Sequence, residues 1–142
     1  MLWAVVNNAA TLVFADAAFQ THQQVRTQID VNLYGLWSVS KTFMPHLISS
    51  KGRLVNIVSF CTECPLPTLS LYTATKAGVL SLSEGMRMEV EKFGVNVILF
   101  NPGDSPCDTP LCSGQKEHYK VNYFLTWYGI YIIYISYISF PI

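Results

Sequence analysis

Residues 51–103 read KGRLVNIVSFCTECPLPTLSLYTATKAGVLSLSEGMRMEVEKFGVNVILFNPG. Arg53 to Ser59 is a short run rich in Val and Ile. Lys51-Gly52 precedes it and a turn-rich segment with Pro65 and Pro67 follows, so it reads as a strand. From Ser70, which is placed to cap a helix, Val79, Leu82, Met86 and Val90 recur at helical spacing. This helix is expected to run to about Lys92, with Gly94 as a suitable stop. Val95 to Phe100 is a second apolar run, ended by Asn101-Pro102-Gly103. Strand, long helix and strand in succession predict a crossover between parallel strands.

The residues before Lys51 continue the alternation. Leu2-Trp3-Ala4-Val5-Val6 is an unbroken apolar run stopped by Asn7-Asn8, as expected of a strand buried on both faces. Thr21 to Ser50 carries helical spacing through Ile29, Leu33, Trp37, Phe43 and Leu47. Gly35 and Pro45 are the expected breaks or kinks. The order β, α, β, α, β predicts an α/β domain with a doubly wound parallel sheet. Ligands of such sheets bind beyond the carboxyl ends of the strands. Asn7, Asn8, Ser59 and Asn101 to Gly103 are therefore expected to share one rim. The stripes Val39/Phe43/Met44/Leu47 and Val79/Leu82/Met86/Val90 are expected in the core or in a subunit contact.

The 142 residues are 51% apolar and 13% charged, about half the usual charged share of roughly 25%. That composition suits one folded domain and excludes wholesale disorder. Nine basic residues balance nine acidic ones, and no Lys/Arg cluster is present, so no nucleic-acid partner is expected. Four cysteines in a domain of this size do not make a secreted disulfide scaffold, and a reducing compartment is the default. Met1 to Ala17 lacks the basic start of a signal peptide, and none is expected there. Every charged residue lies within the first 120 positions. Two segments are accordingly expected: a domain over residues 1–120 and an uncharged tail over 121–142. The tail, VNYFLTWYGIYIIYISYISFPI, holds five tyrosines. Composition leaves three readings of it open: a membrane anchor, a buried or aggregation-prone β segment, or sequence that is not native coding.

Tyr72 and Lys76 are four apart on the predicted helix, which puts both on one face just past the ligand rim. A phenol with a pKa near 10 is a poor base at neutral pH. Half-ionising it at pH 7 requires about three units, roughly 4 kcal/mol. A nearby ammonium favours the phenolate by about one to three units, and Lys76 is placed to supply it. Ser59, at a strand end, is placed to donate a hydrogen bond to a substrate oxygen. Together these groups suit proton transfer at a carbonyl or alcohol oxygen. A bare Y-x-x-x-K also arises by chance on solvated helix faces.

The order of motifs adds to that reading. Asn7-Asn8-Ala9, Asp30-Val31-Asn32, Ser59, Tyr72-Thr73-Ala74-Thr75-Lys76 and Asn101-Pro102-Gly103 follow one another along the chain. From Leu2 to Asp104 the sequence resembles the short-chain dehydrogenase/reductase family. LWAVVNNA, DVNLYG, KGRLVNI and YTATKAG look most like its D-beta-hydroxybutyrate and retinol/hydroxysteroid dehydrogenase branch. The resemblance implies the C-terminal half of a Rossmann-type domain, with strands 4, 5 and 6 of the full sheet and their crossover helices. It implies Tyr72 as the acid/base, Lys76 as the group that depresses its pKa and holds the nicotinamide ribose, Ser59 as the residue that polarises the substrate carbonyl, and Asn32 as the holder of a water in a proton relay. Asn8, Ala9, Ile57, Pro102 and Gly103 would border the cofactor along with Tyr72 and Lys76. The reaction implied is hydride transfer between NAD or NADP and a secondary alcohol or ketone. The resemblance also implies pairing of the two long helices between subunits.

The chain departs from the family at several points. No glycine-rich turn for a pyrophosphate is present, and nothing selects NAD or NADP. Ala10, Thr62 and Cys107 stand where the family prefers other residues. A chain starting at strand 4 is expected to have an apolar open edge at Leu2 to Val6. These features describe a truncated member with its proton machinery kept, and the alternative is a catalytically inactive fragment. The isolated chain is expected to bind dinucleotide weakly or not at all. Cys61-Thr62-Glu63-Cys64 is a C-x-x-C, but Cys107 and Cys112 do not complete zinc-site spacing, so incidental thiols and no metal are expected. His22, His46 and His118 lack metal-ligand spacing, and no G-x-S-x-G elbow exists, which removes zincin and hydrolase readings.

Overall fold

The computed structural model describes residues 2–102. Gly103, Cys107, Cys112, His118 and the 121–142 tail lie outside the described residues. Three strands, β1 (Ala4–Asn7), β2 (Arg53–Ile57) and β3 (Asn96–Phe100), form one parallel sheet in the order β1-β2-β3. Val5 pairs with Leu54, and Leu54 with Val97. Between β1 and β2 run α1 (His22–Ile29), a π-helical turn (Asp30–Gly35) and α2 (Leu36–Ser50). Between β2 and β3 runs α3 (Ser70–Val90), prolonged by a 3-10 turn to Phe93 and stopped by Gly94 at φ 76°.

Local chemistry explains the boundaries. A capping box starts α1: Gln24 N–H donates to Thr21 Oγ1, while Thr21 N–H donates to Gln24 Oε1 at 2.7 Å. At the other end of this crossover, Lys51 adopts the left-handed region at φ 51°. Lys51 N–H bonds Ile48 O, and Gly52 N–H bonds Leu47 O at 2.9 Å, a Schellman motif. The glycine stands one position later than usual because it is needed for space. A Cβ at Gly52 would lie 2.8 Å from Trp3 O and 2.9 Å from Leu47 Cδ2.

The main core lies on one face of the sheet. Val5, Leu54 and Val97 meet Leu47 of α2 and Met86 and Val90 of α3. Val39, Phe43, Met44 and Leu82 pack around them, so the two apolar stripes serve the core. A chain of buried polar groups crosses the same face. Asn7 Nδ2 donates to Ser40 Oγ at 2.9 Å and to Asn56 Oδ1 at 2.8 Å, and Asn56 Nδ2 donates to Ser83 Oγ at 2.8 Å. Ser40 and Ser83 hydroxyls in turn donate to Leu36 O and Val79 O. Every member is satisfied, which is the condition for tolerating such groups in a core.

Several expectations need correction. Among the described residues the three-stranded parallel sheet matches part of a doubly wound fold, with both crossover helices on one face. The strand order advances in one direction, and crossovers of one hand then place both helices on the same side. The opposite face is left partly open: β1 is half-buried there instead of buried on both faces, while Ile98 is 39% and Phe100 52% exposed. Asn7 is not on the rim, since its side chain turns into the core network. The break expected at Pro45 is absent, for α2 runs through it to Ser50. Ser70 is the first helical residue and does not cap α3; Leu69 holds the cap position without a side-chain bond. Ile29 and Trp37 lie on a solvent-facing side of the helix.

Candidate active site

Three strand ends and the start of α3 meet at the carboxyl edge of the sheet. β2 ends at Ile57, and Ser59 follows in extended conformation (φ −151°, ψ 147°) before a 3-10 turn over Phe60–Thr62. Ser59 is half-buried, and its Oγ accepts from Cys61 N–H at 3.3 Å. That bond uses a lone pair of the hydroxyl and leaves its hydrogen to be donated elsewhere. The loop then runs to Thr68, which sits at φ 66°, a strained region for a β-branched residue. Thr68 O accepts from Ala15 N–H at 3.1 Å, so the strained residue ties this loop to the one after β1.

Tyr72 and Lys76 follow on the first turns of α3. Tyr72 is buried in a small apolar cluster with Leu12 and Leu69, and Phe14 and Cys61 pack against it. Lys76 is only 3% exposed. Its Nζ lies 6.0 Å from the Tyr72 ring centroid and donates to Ile57 O at 2.8 Å. No carboxylate forms an ion pair with it among the described residues. Burial therefore pushes its pKa down from 10.5 to about 8. The ammonium still predominates at neutral pH, held beside an aromatic ring in a poorly solvated place.

Asn32 reaches the site from the other crossover. It lies inside the π-helical turn, and such turns are frequent where helices are adapted to a site. The residue is fully buried. Its Oδ1 accepts from Thr11 N–H at 2.7 Å, and its Nδ2 donates to Thr11 O at 2.8 Å and to Thr75 Oγ1 at 2.9 Å. Thr75 Oγ1 donates onward to Tyr72 O at 2.7 Å. One amide thus clamps the loop after β1 to the backbone that carries Tyr72. Both Asn32 amide hydrogens are engaged with protein. Gly78 permits the approach, since a Cβ there would lie 3.3 Å from Leu33 Cδ2.

The structure thus gathers Ser59, Tyr72 and Lys76 around the end of β2, with Asn32 behind Tyr72. Ile57 contributes its carbonyl to Lys76. Asn8 and Pro102 are exposed at the ends of β1 and β3, and Ala9 is half-buried. Thr75 and Thr11 were missed by sequence reasoning. Thr75 lies three residues after Tyr72 on its own helix face and was open to discovery by spacing; Thr11 carries no local signal.

The residues fit one end of a nicotinamide dinucleotide. Lys76 offers three donors, of which one is used by Ile57 O, which suits a ribose diol. No glycine-rich turn follows β1, β2 or β3 to receive a pyrophosphate.

The family model for short chain dehydrogenase matches residues 1–120. The chain belongs to the short-chain dehydrogenase family. It is 41% identical over 103 residues to human (Homo sapiens) 17-beta-hydroxysteroid dehydrogenase type 2, covering 72% of this chain and 27% of that protein. It is 35% identical over 115 residues to the mitochondrial D-beta-hydroxybutyrate dehydrogenase of Rattus norvegicus, covering 81% of this chain and 34% of that protein. The chain therefore spans about a third of the length of these curated relatives. Among solved structures, a gluconate 5-dehydrogenase from Burkholderia cenocepacia in complex with NADP and tartrate superposes with a TM-score of 0.75 at 28% identity. That match covers 81% of this chain and 45% of the other.

Proposed function

We propose that this site performs the proton-transfer part of a nicotinamide-dependent oxidation of a secondary alcohol, or the reverse reduction of a ketone. The observation that carries the proposal is a buried lysine with no carboxylate partner among the described residues, set beside Tyr72 at the carboxyl end of a parallel sheet. NAD or NADP, when bound, supplies or accepts the hydride. Tyr72 is the acid/base: its phenolic oxygen takes the alcohol proton in oxidation and returns it in reduction. Lys76 favours the phenolate by its charge, which acts strongly because little water screens it. Ser59 orients the substrate by donating its hydroxyl hydrogen to the reacting oxygen. Asn32 positions Tyr72 through Thr75 and the Tyr72 carbonyl. Asn8, Ala9, Ile57, Pro102 and Gly103 border the cofactor in this reading.

The test is turnover of secondary alcohols and ketones with NAD(H) and NADP(H), in a protein that carries this site together with a dinucleotide-binding turn. Tyr72→Phe is expected to abolish turnover and leave dinucleotide affinity nearly unchanged, whereas Lys76→Ala reduces both. A Tyr72→Phe protein with the unsubstituted rate overturns the assignment.

A second reading is that residues 1–142 taken alone are non-catalytic, since no glycine-rich turn follows β1, β2 or β3. Calorimetric titration of the 142-residue chain with both dinucleotides separates the two. Micromolar binding supports catalysis by the chain itself, and absence of binding supports the second reading.

A further inference from the structure

Past Ser59 the chain turns sharply, and the turn carries two thiols. Thr62 N–H donates to Ser59 O at 3.0 Å, Glu63 N–H to Phe60 O at 2.9 Å, and Cys64 N–H to Phe60 O at 3.2 Å. Thr62 is within the 3-10 turn and Glu63 follows at φ −92°, ψ −34°. Residues 61–64 thus approximate a type I turn, whose end Cα atoms lie closer than about 7 Å. Disulfides join Cα atoms roughly 4.4–6.8 Å apart, so the backbone already sets the two cysteines at bridging separation. Both are thiols; Cys64 is exposed, and Cys61 is half-buried.

We propose that Cys61 and Cys64 are a reversible redox pair, closed to a disulfide by hydroperoxides, in the wall of the candidate active site. The Cys64 thiolate attacks a peroxide oxygen. The O–O bond breaks, giving a sulfenic acid on Cys64 and releasing an alcohol, or water from hydrogen peroxide. The Cys61 thiolate then attacks the Cys64 sulfur, the S–O bond breaks, and hydroxide leaves to be protonated to water. The two thiols lose two electrons and the peroxide gains them. The exposed sulfur meets the oxidant and the half-buried one resolves the product, an order that follows from their exposure.

The position of Cys61 gives this chemistry a consequence. Its side chain packs against the Leu12, Leu69 and Tyr72 cluster, and its N–H bonds Ser59 Oγ. Drawing its sulfur toward Cys64 takes it off the wall behind Tyr72 and shifts the donor that holds Ser59. A disulfide closing so short a loop restricts the unfolded chain little, so its effect is local. The proposal stands on the turn and the two thiols and does not require the dehydrogenase reading.

The full chain, reduced and then exposed to hydrogen peroxide, is alkylated and digested with trypsin. Cleavage after Arg53 and Lys76 leaves Cys61 and Cys64 on one peptide, and cleavage after Lys92 and Lys116 leaves Cys107 and Cys112 on another. The expected result is a 54–76 peptide lacking the pair of thiol hydrogens, unalkylated, and returned to the doubly alkylated form by dithiothreitol. Closure is expected to be about tenfold faster in buffer than in denaturing urea, because the folded turn holds the sulfurs together. Both thiols remaining alkylatable at peroxide doses that oxidise the 93–116 peptide overturns the proposal. So does a cross-link between the two peptides, or an equal closure rate in urea.

Discussion

Lys76 is held in the fold at a cost to stability, and the sign of that cost can be worked out. Its folded pKa, about 8, lies below the unfolded value of 10.5. Below pH 8 both states are protonated, and the buried charge opposes folding by about 3 kcal/mol. Between pH 8 and 10.5 the folded state has released a proton that the unfolded chain still binds, so this opposition fades as pH rises. Lys76→Met is therefore expected to be neutral to stabilising in urea unfolding at pH 7, the lost bond to Ile57 O offsetting part of the gain. Its advantage over the unsubstituted chain should shrink by about 3 kcal/mol from pH 7 to above pH 10.5. Asn32→Ala should act the other way. It orphans the Thr11 N–H and the Thr11 carbonyl in a buried place and removes the donor to the Thr75 hydroxyl, which keeps its own bond to Tyr72 O, for an expected loss of roughly 2–4 kcal/mol in the same measurement. The Tyr72–Lys76 pair was legible because helical periodicity alone puts residues four apart on one face. The Asn32 clamp was not, because its partners come from a loop and from another helix, and no local pattern encodes that meeting.

The elements show where local rules were overridden. Gly35 ends a π-helical turn and Pro45 lies inside α2, yet both read in sequence as breaks. Proline removes a single N–H and is tolerated here within a helix otherwise held by tertiary packing of Leu36, Ser40 and Leu47. Asn7 reads as the polar stop of a strand, but Ser40 and Asn56 give it partners that no strand pattern reveals. The α2–β2 connection shows the converse, a local signal with a tertiary reason. Gly52 is fixed by Trp3 O, which also accepts from Arg53 N–H at 3.0 Å. Gly52→Ala is expected to push β1 from β2 where their pairing begins, lowering stability by about 1–3 kcal/mol. A thermal or urea midpoint unchanged by that substitution would contradict the packing described.

In the molecule as a whole, one sheet face carries both crossover helices and the other carries Val6, Val55, Ile98 and Phe100 with partial exposure. β1 pairs only with β2 among the described residues. Ile98→Lys is expected to reduce concentration-dependent light scattering and leave the unfolding free energy within about 0.5 kcal/mol, since the residue is 39% exposed. The depressed pKa of Lys76 depends on this arrangement, because its ammonium is buried between the end of β2 and the first turns of α3. Titration of lysine Cε resonances by NMR, with Lys76→Met to assign the signal, therefore tests the proposed site most directly. The expected midpoint for Lys76 is near pH 8, well below the ordinary lysine value of about 10.4. A Lys76 midpoint at the ordinary lysine value of about 10.4 would show a solvated amine, and the buried charge proposed to activate Tyr72 would not exist.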